Sequence, residues 1–161
     1  MANTTLVSKI NNLLSTDSID WELILKEIIS AFDCETGTLH FLDTETNLLQ
    51  LQAQIGIPAF LLPKLTTIPI GKGMAGIAAE RKEPVEMCNL QLDESGIARP
   101  AAKETKVEGS IAAPLLHKQQ LYGTIGIAKK AVYIFTKEET ETLMEVGEAL
   151  AAKYIDILPS T

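Results

Sequence analysis

The chain has 161 residues, 46% apolar and 22% charged, the balance of one folded globular domain and not of a disordered segment. Its net charge of −7, with no run of five Lys or Arg, excludes a nucleic-acid-binding face, which needs a basic patch. No window approaches the roughly 20 apolar residues of a membrane span, and the start MANTTLVSKINNLL lacks the basic and apolar regions of a secretion signal, so a cytoplasmic protein is expected.

Residues 4–14 place Leu6, Ile10, Leu13 and Leu14 at helical spacing, which predicts a short amphipathic helix. Asp17 and Ser18 offer capping oxygens to a second helix whose stripe is Trp21, Ile24, Leu25, Ile28 and Phe32, ending near Asp33–Gly37. The period then changes to two. Residues 38–43 (TLHFLD) read as a strand, 44–47 as a polar turn, and Leu48–Ile55 as a second strand. In that second strand Leu49, Leu51, Ala53 and Ile55 alternate with three glutamines, the pattern of an antiparallel hairpin with one wet face.

Residues 59–65 read as a helical turn ended by Pro63, residues 66–70 as a short strand, 74–81 as a two-turn helix and 84–87 as a fourth strand. Residues 88–108 hold no sustained period and mix both charge signs, as a long binding loop would. Two strands, 109–116 and 121–128, follow as a hairpin over His117–Gln120. Thr136 and Glu139 form a capping box that opens a last helix to about Ile157. One domain results: N-terminal helices over about 4–33, a sheet and pocket core over 38–128, and a C-terminal helix over 136–157. Short hairpin connections make the sheet antiparallel and the class α+β.

Gly71, Gly73 and Gly76 spell GxGxxG, with Asp93 further along, the outline of a dinucleotide fingerprint. Its context is wrong: the preceding strand contains Pro69, Pro84 follows too soon for a crossover helix, and Asp93 falls in the irregular loop, so NAD and flavin are not expected. The glycines read better as structure, with Gly71 and Gly73 allowing positive φ in a strand-to-helix turn and Gly76 letting the helix sit close on the sheet. Lys72 reads as a solvated charge.

Pro69, Gly71, Gly73, Gly76 and Ile77, then Glu83-Pro84-Val85, then SIAAPL from Ser110 and LYGTIGI from Leu121 occur in the order of one known pattern. The chain thereby resembles the GAF domain family of small-molecule sensor and regulatory modules, related in architecture to PAS domains. The resemblance implies a six-stranded antiparallel sheet with helices on one face and a pocket on the other, roofed by the short helix and the 88–108 loop. It also speaks against two ligands. The cysteine motif that attaches a bilin is missing beside His40 and His117, and the Asn-Lys-Phe-Asp-Glu signature of cyclic-nucleotide binders cannot be traced. The free methionine sulfoxide reductases share the fold and gather cysteines over the pocket. Here only Cys88 could serve, since Cys34 precedes the first strand, and no resolving partner remains for it.

Cys34 and Cys88 have no CxxC or metal-type spacing, which favours buried reduced thiols over zinc or a disulfide. Candidate ligand contacts are Cys88, Asp93, Glu94, Arg99 and Lys103 in the loop, with passive thiol and solvated charges as the plain alternative. The last strand puts Tyr122, Thr124, Gly126 and Ala128 on one face, where small residues serve either a cavity or close helix approach, the second being preferred. If that face is the pocket floor, Ser110 and Thr124 supply hydrogen bonds. Residues 72–106 carry six basic and six acidic side chains, so no strong steering of a charged ligand is expected. His40 alternates away from Leu39 and Phe41, and neither histidine sits at a nucleophile–base spacing.

Leu143, Gly147, Leu150, Tyr154 and Ile157 form a stripe on the last helix, either core or part of a homodimer interface with the first helices. The expected protein is a stand-alone sensory domain that binds a small molecule of unidentified chemistry. It would signal through self-association or a separate signalling protein. The alternatives are a reductase-like enzyme using Cys88 and an interaction module whose pocket has collapsed.

Overall fold

The computed structural model describes residues 2–87 and 108–157. Two helices come first, α1 (Ala2–Leu14) and α2 (Trp21–Ala31). Asp20 caps α2, in place of the expected Asp17 or Ser18: its carboxylate accepts from the Leu23 N–H at 3.0 Å. Residues 16–18 are instead held in a turn, where the Thr16 hydroxyl donates to the Ser18 carbonyl at 2.9 Å.

Six strands follow: β1 (Thr36–Asp43), β2 (Leu48–Ile55), β3 (Thr67–Pro69), β4 (Val85–Met87), β5 (Gly109–His117) and β6 (Gln120–Lys129). They form one antiparallel sheet in the order β3-β2-β1-β6-β5-β4, so the chain is α+β. The β5–β6 hairpin closes over Lys118 and Gln119 at φ 51° and 68°, a primed turn whose twist matches that of its strands. Between β2 and β3 a 3₁₀ turn, Ala59–Leu61, runs straight into α3 (Leu62–Leu65). Pro63 does not end this connection. It occupies the first turn of α3, where its missing N–H has no helical partner to lose.

The last helix, α5 (Lys137–Ile157), opens on the reciprocal cap: Thr136 N–H donates to Glu139 Oε1 at 2.8 Å, and Glu139 N–H to Thr136 Oγ1 at 3.0 Å. Burial tends to raise the pKa of Glu139, but these bonds, the Tyr133 hydroxyl and Lys129 outweigh it and hold the carboxyl below its usual range.

Helices α2 and α5 cover one face of the sheet, and α1 lies against both of them. Ile10, Ile24, Leu25, Ile28, Val146 and Leu150 pack there against Leu39, Ile111, Leu115, Ile125 and Ile127, all essentially inaccessible. Phe41 stacks on Tyr154 at 3.9 Å between centroids and meets the edge of Trp21 at 4.9 Å. Of the stripe on α5, Leu143, Gly147 and Leu150 are therefore core, while Ile157 is 48% exposed.

Two bulges break the simple alternation. In β2 the register passes from Leu39–Ala53 to His40–Leu51, leaving Gln52 unpaired. Ala53 and Ile55 consequently face the helical core, while Leu49 packs with Ile68 and Ala79 on the opposite face. The single wet face expected for β2 does not exist. In β6 the register skips Tyr122, which packs against the helical core, so the expected row Tyr122–Thr124–Gly126–Ala128 begins at Thr124. One unpaired residue reverses the facing of everything beyond it, since side chains alternate at period two.

Candidate functional site

On the sheet face away from α1, α2 and α5 lies α4 (Gly73–Arg81), joined to β3 by the glycine turn. Gly71 and Gly73 stand at φ 92° and 71°, where a side chain would be strained. A Cβ on Gly76 would run into the Pro69 carbonyl, so the helix can sit this close only with glycine there. Met74 and Ala78 pack on Val85, Ala112 and Ala128.

Beside that contact a cavity of about 120 Å³ opens between sheet and helix. Its floor comes from Thr36, Thr38 and His40 of β1, Gly126 and Ala128 of β6, and Ser110 and Ala112 of β5. Above it stand Ile57 and Leu65 from the β2–β3 connection, Ile68 of β3, and the start of α4 from Lys72 to Ala75. The space exists because the floor residues are small. A Cβ on Gly126 would meet nothing closer than Thr38 Oγ1 at 3.2 Å.

His40 ties floor to roof. It is 1% exposed, and its Nε2–H donates to the Leu65 carbonyl at 2.8 Å. Burial lowers its pKa, and the Leu65 bond only partly opposes that, so the ring is neutral at pH 7. With Nε2 carrying the proton, Nδ1 presents a lone pair. Among the described residues that buried Nδ1 has no hydrogen-bond partner. Thr124, the cross-strand neighbour of His40 on β6, is also 1% exposed, and its Oγ1 has no partner among the described residues either.

Of the residues singled out from sequence, Ser110 stands in the cavity wall and Thr124 is buried in the same sheet face beside His40. The small residues of this face serve both ends weighed from the sequence: the cavity stands over Gly126 and Ala128, and α4 packs on Ala112 and Ala128. Cys88, Asp93, Glu94, Arg99 and Lys103 lie outside the described residues. Cys34 is half-buried beside the helical core, and burial pushes its thiol up to about 12, the opposite of an activated nucleophile. His40 was missed as a cavity residue. The signal was available in TLHFLD, where Thr38 and His40 share the face away from Leu39 and Phe41. Among the described residues no three His, Cys, Asp or Glu side chains group as a metal site, and no helix is long and apolar enough to cross a membrane.

Residues 22–152 match the GAF domain family, and the chain belongs to it. No curated protein sequence matches the chain. Solved structures agree on the fold. The GAF domain of a phosphoenolpyruvate-protein phosphotransferase from Coxiella burnetii superposes with a TM-score of 0.80 at 22% identity, over 97% of this chain and 94% of that one. The nlh2 GAF domain of A. aeolicus, in an inactive state, gives 0.74 at 21% identity, over 96% of each chain. A free methionine-R-sulfoxide reductase from Neisseria meningitidis, in complex with its substrate, gives 0.76 at 18% identity, over 95% of this chain and 88% of that one. At such identities the likeness extends to fold alone.

Proposed function

We propose that this GAF domain is a sensory and regulatory module that binds a small molecule in the cavity under α4 and passes on its occupancy through helix-mediated association. The observation that carries the reading is the cavity itself. Among the described residues about 120 Å³ stands open over the middle of a sheet face, close in size to the engineered apolar cavity of about 150 Å³ that takes up benzene. Association would use a homodimer or a separate signalling protein. The inner stripe of α5 is already engaged with the sheet and that of α1 with α5 and α2, so contacts would fall on outward residues such as Leu23 of α2 and Ile157 of α5.

Native mass spectrometry of the protein purified from the cells that make it tests both halves. A bound small molecule released on denaturation, together with a dimer or a partner complex, is the expected result. An empty monomer would return the weight to an interaction module that works without ligand.

The likeness to a methionine sulfoxide reductase supports a second reading, an enzyme using Cys88. Reduction of free methionine sulfoxide that disappears in Cys88→Ser would establish it. Cys34 lies beside the helical core and outside the cavity lining, and burial pushes its thiol up, which favours Cys88 over it as the nucleophile of that reading.

A further inference from the structure

The cavity holds one feature that packing does not explain. His40 and Thr124 sit side by side on its floor strands, both buried, and each keeps a polar atom without a partner among the described residues. Leaving a buried donor or acceptor unsatisfied is costly, and two on adjacent strands mark either strain or a missing partner. The two atoms differ in what they ask for. Nδ1 of a neutral His40 whose Nε2–H is committed to Leu65 can only accept. The Thr124 hydroxyl can do either. A small group entering the cavity meets His40, which lines it, while Thr124 lies beside His40 outside the lining. That group has to bring a proton to Nδ1.

The rest of the wall sets the remaining chemistry. Ile57, Leu65, Ile68, Met74 and Ala112 are apolar. Lys72 is the one permanently charged side chain among the described lining residues, and it stands at the N-terminus of α4, where the helix dipole is also positive. A cation placed here would meet like charge with no described carboxylate to pair with.

We propose that the cavity selects neutral, mostly apolar molecules the size of one substituted aromatic ring that donate a hydrogen bond, from O–H or N–H, to Nδ1 of His40. This rests on the pocket reading above and adds to it the class of ligand.

The probes are phenol, toluene and benzylamine, titrated calorimetrically into the full 161-residue chain at pH 7.5. Phenol and toluene share a shape and differ in the donor. The expected result is that phenol binds about tenfold tighter than toluene, the worth of one hydrogen bond to a buried acceptor. Benzylamine, protonated at this pH, is expected not to bind. Nitrogen NMR of the His40 ring should show Nε2 protonated throughout, with Nδ1 shifting on addition of phenol and not of toluene. His40→Leu should abolish the preference, while the wild-type contrast and the NMR shift need no variant to fold. Equal affinity for phenol and toluene would overturn the inference and leave the pocket standing, with a buried water serving the two atoms. Benzylamine binding as well as phenol would overturn the charge argument. Failure of all three probes to bind would overturn the inference together with the pocket.

Discussion

The two faces of this sheet are made by the same strands and serve opposite ends. Toward α1, α2 and α5 the strands present Leu39, Phe41, Ile111, Leu115, Ile125 and Ile127, which fill the space between layers. Toward α4 the alternate residues of the same strands are Thr38, His40, Ser110, Ala112, Thr124, Gly126 and Ala128, and space is left over. The helical face does the folding, since burial of large aliphatic side chains is the dominant favourable contribution. Freed from that task, the α4 face can carry small residues, an uncharged buried histidine and a cavity. The division teaches where to look for function in such a sheet, on the face whose side chains are too small to close it.

The contrast is sharpened most by removing bulk from the filled face. Ile125, with no exposed surface, should cost about 3 kcal/mol on truncation to Ala, read from the urea midpoint at constant slope. A loss below about 1 kcal/mol would mean that the helical layer repacks freely and that the two faces are less different than argued. Next in size is Gly123→Ala. A Cβ there would strike the His40 carbonyl and stand 3.0 Å from Phe41 Cα, both of them backbone atoms that cannot swing away. Overpacking of this kind should cost about 2 kcal/mol in the same measurement.

Most of the helical face was legible in the sequence, because its residues are large and recur at the period of their elements. The stripe of α2, the β5–β6 hairpin and the Thr136–Glu139 box all have local signals that tertiary contacts reinforce. The family was legible too, from the joint order of the glycine turn and the two late strands. The α4 face was not. Its residues are defined by smallness, and Thr124 or Gly126 looks the same in sequence whether it lies under a helix or under a cavity. The bulges at Gln52 and Tyr122 hid it further. A period-two reading carries a strand's facing unchanged from end to end, whereas one unpaired residue reverses it. His40 was read correctly as turned away from Leu39, but what lay on that side depended on Leu65, 25 residues along.

A smaller effect separates the faces by pH. The folded state holds the His40 pKa below 6.5, so the unfolded chain takes up that proton first as pH falls. The stability that neutral His40 supports is complete above pH 6.5 and declines below it, by at most about 1.4 kcal/mol per pH unit, until the folded-state pKa is passed. Glu139 has the same sign of dependence but a lower window, beneath its ordinary value of 4.5. Urea midpoints should therefore drop between pH 6.5 and 5 in the wild type and stay flatter in His40→Gln, which can still donate to the Leu65 carbonyl. An unchanged slope in the variant would assign the titration to another group.

The smallest expected change in stability tests the comparison most directly. Gly126 lies three residues from Gly123 on the same strand, but the one close contact its missing Cβ would make is with the Thr38 hydroxyl at 3.2 Å, a side-chain atom that can turn aside. Gly126→Val adds three carbons to the cavity, at a strand position where a β-branched residue is favoured and where glycine costs entropy. Its stability should stay within about 1 kcal/mol of wild type, a smaller loss than that of Gly123→Ala although the added side chain is larger. Ligand uptake should behave the opposite way. Phenol binding and any co-purified molecule should be lost in Gly126→Val and kept in whatever fraction of Gly123→Ala folds. A Gly126→Val protein destabilised as much as Ile125→Ala would show that this face is packed like the other and has no room to spare. A stable one that has lost its ligand would show that the space is kept open for use, since filling it removes only binding.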